Sequence, residues 1–300
     1  MTEFRGAYTA LITPMTQSGE IDYEGFRKLI QFQIAEGIDG ILPLGTTGEN
    51  PTLDENEEDK LIEIAVKEAA GKVKVIVGAG SNDTKHMVNY VERAKKSGAD
   101  AALVVTPYYN KPNDSGMLRH FEAAAKPGIP IIVYNIASRT GKNIPTPLMK
   151  EIAKIPGIAG VKESSGDINQ MGDVIREIAT PRKNSQDKFW VLSGDDAMTL
   201  PLIGMGGDGV ISVVSNLLPA KVKNMTKAAL DGDFEKARAI HYEILPFIKA
   251  AFIETNPVPI KYALALAGLP AGPTRLPLGK LEPSSEALVK KAMTDLGVLK

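Results

Sequence analysis

Short runs of apolar residues recur along this chain at intervals of about thirty residues, and this repetition limits the possible folds more than any other feature. The runs are rich in valine and isoleucine. Most are continuous rather than alternating, as in parallel strands buried on both faces. We place eight predicted strands at Ala7–Ile12, Gly40–Leu44, Val73–Val77, Ala101–Val105, Ile129–Tyr134, Ile158–Val161, Phe189–Leu192 and Gly209–Val214.

Helical patterns between these runs point to the same fold. The segment Asp54–Ala70 opens with Asp54 and Glu57 at the spacing of a capping box, and it then places apolar residues on one face. Thr146 before Pro147 predicts a helix N-cap followed by proline at the first helical position. Eight strands that alternate with helices without a change of pattern predict an α/β protein with a (β/α)8 TIM barrel.

The domain organisation follows from the point where the strand signal stops. Residues 1–225 are predicted to form a catalytic barrel, and residues 226–300 a C-terminal helical extension. The helical stretches of this extension are predicted near Phe234–Ala251, Pro259–Ala267 and Ser285–Leu296. The segment Gly204–Gly209 matches G-x-G-x-x-G, but it follows a helical stretch and opens a strand, the reverse of a dinucleotide fingerprint. It predicts a tight turn and no nicotinamide cofactor.

Composition argues against several classes of partner. The formal net charge is -1, without the basic excess of a non-specific nucleic-acid binder. The chain has no cysteine, which excludes thiolate metal sites and agrees with a cytoplasmic location. The three histidines, His86, His120 and His241, lie on predicted helices without a ligand cluster, and no apolar run approaches the roughly 18–20 residues that cross a bilayer. We expect no metal, no cofactor and no membrane partner.

A lysine lies at the end of the sixth predicted strand, where α/β barrels keep their chemistry. Lys162 follows the apolar run Ile158–Val161 and precedes a turn of small polar residues. A desolvated lysine can become a neutral nucleophile that attacks a carbonyl and forms a Schiff base. Glu163 is expected to point to the other side of the strand, because successive side chains alternate.

The other strand ends carry groups that suit imine chemistry. Thr46 and Thr47 lie between glycines and can bind a small carboxylate. Tyrosine hydroxyls such as those of Tyr109 and Tyr134 can relay protons without placing a competing charge beside the amine. Arg139 can hold a second carboxylate through two hydrogen bonds. The sequence shows neither a serine–histidine pair nor paired carboxylates at a cleft.

With these motifs the chain resembles the dihydrodipicolinate synthase family, in the superfamily of pyruvate-dependent class I aldolases that includes N-acetylneuraminate lyase. The resemblance covers essentially the whole chain. It rests on Gly45-Thr46-Thr47-Gly48-Glu49, Thr106-Pro107-Tyr108-Tyr109-Asn110, Tyr134-Asn135, Gly160-Val161-Lys162-Glu163, Ser193-Gly194-Asp195-Asp196, Asn256-Pro257-Val258-Pro259-Ile260-Lys261 and Arg275-Leu276-Pro277-Leu278. It implies condensation of pyruvate with L-aspartate 4-semialdehyde, which gives 4-hydroxy-tetrahydrodipicolinate in the diaminopimelate route of lysine biosynthesis.

The resemblance also implies residue roles. Lys162 forms the imine with pyruvate, and Thr46 and Thr47 hold the pyruvate carboxylate. Thr47, Tyr134 and Tyr109 form a proton relay, and Tyr109 reaches into the site of a neighbouring subunit of a homotetramer, a dimer of dimers. The remaining implied contacts are the side chain of Arg139, for the carboxylate of the aldehyde substrate, and the backbone carbonyls of Gly194 and Ile211.

Regulation and substrate identity stay open at this point. Many members of the family are inhibited by lysine at a cleft between subunits. The matching positions are Glu58, Asn82, His86 and Tyr108. His86 stands where an acidic residue is common, which weakens the attraction for a cationic ligand. Ala137 stands where the family usually has proline, so the loop that carries Arg139 is expected to be less rigid.

Two alternatives remain beside the leading hypothesis. One is another pyruvate-dependent aldolase or sugar-acid lyase on the same scaffold. A sugar-acid lyase would need groups that bind hydroxyls in place of Arg139. The other is a non-catalytic barrel that binds a ligand, which would form no covalent adduct with pyruvate.

Overall fold

The strands of the computed structural model, which describes residues 3–299, confirm the predicted barrel. Within these residues eight parallel strands close into a barrel in the order of the sequence. Each strand end lies within two residues of its predicted position. The strands are β1 (Gly6–Ala10), β2 (Gly40–Leu42), β3 (Lys74–Gly78), β4 (Ala101–Val105), β5 (Ile131–Asn135), β6 (Ile158–Glu163), β7 (Trp190–Ser193) and β8 (Gly209–Ser212).

The helices follow the strands as expected, with one error at a helix start. The capping box of Asp54 and Glu57 is confirmed, since each side chain accepts a hydrogen bond from the other residue's backbone N–H. Pro145, not Thr146, holds the extended cap conformation, so that helix begins one residue earlier than predicted. The helices are α1 (Tyr23–Ala35), α2 (Glu55–Ala69), α3 (Thr84–Lys96), α4 (Asp114–Ala125), α5 (Ala137–Thr140), α6 (Thr146–Ile152), α7 (Ile168–Val174), α8 (Thr199–Gly204), α9 (Pro219–Leu230), α10 (Phe234–Ala251), α11 (Val258–Leu266) and α12 (Pro283–Asp295).

Backbone contacts group the chain into two units. The first contains residues 3–6 and Ile76–Ile211, and in it α3 packs on α4, α4 on α6, and α6 on α7. The second contains Ala7–Val75 and residues 212–299, and in it α1 packs on α2, while α10 packs on α9 and α12. The predicted domain boundary after residue 225 falls inside α9, and that division stays a prediction.

Two segments outside the strands agree with the sequence analysis. The C-terminal helices α10, α11 and α12 lie at the predicted helical stretches. The glycine-rich segment is the turn between α8, which ends at Gly204, and β8, which begins at Gly209. Of the helices in residues 3–299, none is both long enough and apolar enough to cross a bilayer.

The sixth strand is longer than predicted, and this affects the lysine. β6 pairs with β5 and β7, and Lys162 lies opposite Tyr134 on one side and Leu192 on the other. Glu163 pairs with both neighbouring strands as well, so the strand ends at Glu163 and not at Lys162. Pairing with two neighbours fixes the backbone of Lys162 on a rigid part of the fold.

Candidate active site

Lys162 is a buried amine beside an aromatic ring. The residue is only 6% exposed, and its Nζ lies 4.2 Å from the centroid of the Tyr134 ring. Within the described part of the chain, this amine makes neither a hydrogen bond nor an ion pair. Tyr134 itself is buried. A desolvated amine without a carboxylate neighbour is the setting that a nucleophilic lysine needs.

The carboxylate next to this lysine in sequence is engaged elsewhere. Glu163 is fully buried, and its oxygens accept hydrogen bonds from Asn135 Nδ2 at 3.2 and 3.3 Å and from the backbone N–H of Ser165 at 2.7 Å. Gln170 Nε2 lies 3.5 Å from the same carboxylate. Amide donors therefore hold Glu163, as expected if it projects from the other face of the strand.

Gly194 leaves the room that the lysine side chain occupies. Its N–H donates to the Glu163 carbonyl at 2.9 Å, which fixes the backbone after β7 beside β6. A Cβ at this position would lie 2.7 Å from Cε of Lys162 and 1.9 Å from Oγ of Ser164. A side chain at this position would occupy the space of the Lys162 side chain, and the proposed substrate contact of the Gly194 carbonyl stays a prediction.

The two threonines lie on a tight turn, Gly45–Glu49, that follows β2 and that we call the threonine turn. Thr46–Gly48 form a single turn of 3-10 helix. Leu44 and Glu49 flank it with left-handed φ angles of 58° and 57°, a conformation that costs energy for residues other than glycine and is concentrated at functional sites. Thr13 Oγ1 donates to the Gly48 carbonyl at 2.7 Å and holds the turn in place.

Side chains from the C-terminal segment contact this turn. Thr47 is buried, and its Oγ1 accepts a hydrogen bond of 2.9 Å from Nδ2 of the buried Asn256. Thr46 is partly exposed. Asn256 lies in one of the motifs that carry the family resemblance, but no role was predicted for it. No local signal distinguished Asn256, because it follows two other polar residues, Glu254 and Thr255.

A buried ion pair anchors the end of the threonine turn. Lys261 is 3% exposed and donates from Nζ to Glu49 Oε1 at 2.7 Å, to the Pro273 carbonyl at 2.6 Å and to the Thr13 carbonyl at 3.0 Å. The Arg275 backbone N–H donates to Glu49 Oε2 at 2.9 Å. Burial lowers the pKa of Lys261, and the charge of Glu49 opposes that shift. The sequence analysis did not predict this pair.

The remaining predicted substrate residues differ in exposure. Tyr109 is 89% exposed and has a left-handed φ of 69°. Arg139 is also exposed, on the short helix α5, which Gly141 caps. Ile211 is buried on β8. Within the first unit the structure therefore brings Lys162, Tyr134 and Gly194 together.

The predicted regulatory positions lie in both units. Asn82 and Tyr108 both belong to the first unit, where Asn110 Nδ2 donates to the Asn82 carbonyl at 2.8 Å. Tyr108 is partly exposed and His86 is exposed, on α3. Glu58 is buried on α2 of the second unit.

The three histidines lie on helices as predicted. Over residues 3–299, no group of three or more histidine, aspartate or glutamate side chains is arranged to hold a metal ion.

Known proteins match this chain over its full length. The model of the Dihydrodipicolinate synthetase family matches residues 3–296. The 4-hydroxy-tetrahydrodipicolinate synthase of Protochlamydia amoebophila (strain UWE25) is 53% identical, over 97% of this chain and 96% of its own length. The solved dihydrodipicolinate synthase of Cyanidioschyzon merolae with lysine bound is 39% identical, with a TM-score of 0.92 over 99% of each chain. That of Acinetobacter baumannii, described as chloride-inhibited and complexed with pyruvate, is 34% identical, with a TM-score of 0.94 over 98% of this chain and 99% of its own.

Proposed function

The chain belongs to the dihydrodipicolinate synthetase family and is a lyase of the 4-hydroxy-tetrahydrodipicolinate synthase type, and we propose that Lys162 forms a Schiff base with pyruvate. The observation that carries this proposal is the buried amine of Lys162 over the ring of Tyr134. The second substrate of the proposal is L-aspartate 4-semialdehyde. The enzyme thereby acts in the diaminopimelate route of lysine biosynthesis.

The proposed reaction uses the amine as a covalent catalyst. The neutral Nζ of Lys162 attacks the C2 carbonyl of pyruvate, and the resulting carbinolamine loses water to give an imine. Loss of a C3 proton gives the enamine, whose C3 attacks the aldehyde carbon of the second substrate. The amino group of that substrate then attacks the imine carbon, which closes the ring and releases Lys162. One water leaves and no oxidant is required.

The threonines and tyrosines are proposed to bind pyruvate and to move protons. Because the carboxyl ends of barrel strands share one face, we assign Thr46 and Thr47 to the pyruvate carboxylate. Thr47, Tyr134 and Tyr109 form the proposed relay, and their uncharged hydroxyls suit transfer beside an amine. The exposure of Tyr109 supports its assignment to the site of a neighbouring subunit in a homotetramer.

Arg139 is proposed to bind the carboxylate of the aldehyde substrate, and the Gly194 and Ile211 carbonyls to complete the site. Side-chain contacts that the sequence did not predict hold the loop that carries Arg139. Thr140 Oγ1 lies within hydrogen-bond distance of the carbonyls of Ile136 and Lys142, at 3.0 Å each. These contacts restrain the segment that begins at Ala137, where the family usually has proline.

Trapping the imine tests the proposal. The protein is incubated with pyruvate and borohydride, the adduct is mapped by mass spectrometry, and condensation with L-aspartate 4-semialdehyde is assayed. We expect one reduced adduct, at Lys162, and active condensation. An adduct without condensation would favour a different aldehyde substrate, and the absence of an adduct would reject the Schiff-base proposal.

The regulatory site and the assembly are further parts of the proposal. Glu58, Asn82, His86 and Tyr108 form the proposed lysine site, supported by the relative solved with lysine bound. Titration of the activity with L-lysine tests this site, and full activity at millimolar lysine would reject it. Sedimentation tests the tetramer, because an active monomer contradicts a site that uses Tyr109 of a neighbour. The cytoplasmic location stays a prediction.

A further inference from the structure

Two polar contacts join the threonine turn to a short C-terminal segment. Lys261 on α11 pairs with Glu49 at one end of the turn, and Asn256, just before that helix, donates to Thr47 in its middle. All four side chains are buried. The segment therefore contacts both a residue of the proposed relay and the residue that ends the turn.

The direction of the contact between Asn256 and Thr47 matters for chemistry. A threonine hydroxyl has one hydrogen to donate and two positions at which it accepts. Because Asn256 Nδ2 is the donor over 2.9 Å, Thr47 Oγ1 is the acceptor in this bond. The hydrogen of Thr47 therefore points away from Asn256.

We infer that Asn256 is a positioning residue for the reaction, which orients the Thr47 hydroxyl so that its hydrogen is donated along the proposed relay. This inference rests on the proposed role of Thr47. Its physical basis is preorganisation, since a hydroxyl held in one orientation needs no rearrangement as the proton moves. The ion pair of Lys261 and Glu49 fixes the backbone from which Asn256 acts.

Asn256→Asp reverses the polarity of the contact at nearly constant shape. A carboxylate only accepts, so it draws the Thr47 hydrogen toward residue 256. We expect kcat to fall about 100-fold, the scale of a misplaced catalytic group, while the KM for pyruvate changes less than about threefold. Asn50→Asp is the matched control, because it adds the same charge directly after the threonine turn without the contact to Thr47. We expect its kcat to stay within about twofold of the unchanged protein.

A double-mutant cycle separates positioning from a general structural effect. The variants are Asn256→Ala, Thr47→Val and the combination of both. If Asn256 acts through Thr47, the combined variant is no slower than Thr47→Val alone. Independent, additive losses of kcat would overturn the inference. Thermal unfolding of each variant shows whether it folds. If Asn256→Asp folds poorly, the double-mutant cycle still tests the inference.

Borohydride trapping distinguishes failure of the inference from failure of the proposed function. Lack of an adduct at Lys162 in the unchanged protein rejects the proposed function. If the adduct forms and Asn256→Asp keeps kcat within about threefold of the unchanged protein, the positioning role is rejected while the Schiff base stands. An adduct in Asn256→Asp together with the expected loss of kcat supports both.

Discussion

Two buried lysines in this enzyme have nearly the same exposure and opposite surroundings. Lys162 is 6% exposed and lies over the Tyr134 ring, and the described residues offer it neither a hydrogen bond nor an ion pair. Lys261 is 3% exposed and donates to one carboxylate and two carbonyls. Burial is common to both, so the partners of the amine decide which lysine can react.

The two lysines differ in how many N–H donors of the side-chain amine are engaged in hydrogen bonds. An ammonium group has three donors and no acceptor. The contacts of Lys261 with Glu49, Thr13 and Pro273 use all three, so its nitrogen lone pair is not available to a carbonyl. Among the described residues, no such contacts occupy the amine of Lys162. The comparison assigns covalent chemistry to Lys162 and a structural role to Lys261.

Removing each amine in turn tests this assignment, and Lys162 should give the larger effect. We expect Lys162→Ala to lose the pyruvate adduct and to lower kcat on the order of 10,000-fold or more, over 5 kcal/mol of transition-state stabilisation. Its free energy of unfolding should change by less than about 1 kcal/mol, because no polar partner is left unpaired. Mass spectrometry after borohydride treatment and urea unfolding measure both. An adduct on another lysine of this variant would contradict the assignment.

Replacing the other lysine should affect stability. Lys261→Met is expected to lower the free energy of unfolding by about 3–5 kcal/mol, because Glu49 is left as an unpaired buried charge. Urea unfolding measures the loss, and pyruvate should still label Lys162. The double variant Lys261→Met/Glu49→Gln is the control, and it should recover part of the loss by removing that charge. A loss below about 1 kcal/mol in the single variant would mean that the pair is not structural.

A third buried base extends the comparison and should give the smallest effect. Burial lowers the pKa of His120 to about 4, a shift that the charge of Asp83 opposes, and Nδ1 lies 2.9 Å from Thr84 Oγ1. The unfolded chain binds a proton on this residue near pH 6.5 and the folded chain only near pH 4, so stability falls as the pH drops between these values.

The expected loss is about 2 kcal/mol between pH 7 and pH 5. Urea unfolding across this range measures it, with His120→Asn as the control, because asparagine keeps a polar atom for Thr84 and does not titrate. An equal slope in both proteins would show that His120 is not the cause.

Local sequence patterns predicted part of the candidate site, whereas features that depend on contacts between distant residues were not predicted. Lys162, Tyr134 and the two threonines follow buried strands or turns, and the barrel topology predicts that such positions carry the chemistry. The end of β6 lies two residues beyond the predicted run Ile158–Val161, because pairing with two neighbours outweighed the polarity of Lys162 and Glu163. The start of α6 was wrong because the backbone of Pro145 already provided the cap.

The sequence by itself determined the α/β barrel, since strands and helices are encoded by local apolar patterns and repeat along the chain. Only the tertiary structure decided which polar side chains meet. Asn256 and Thr47 are 209 residues apart, and Lys261 and Glu49 are 212 apart. No local pattern encodes such pairings, because they arise when distant segments are buried together and their polar groups must find partners. For the same reason the sequence does not distinguish the surroundings of Lys162 from those of Lys261, and only the fold shows which of these two amines has no competing partner.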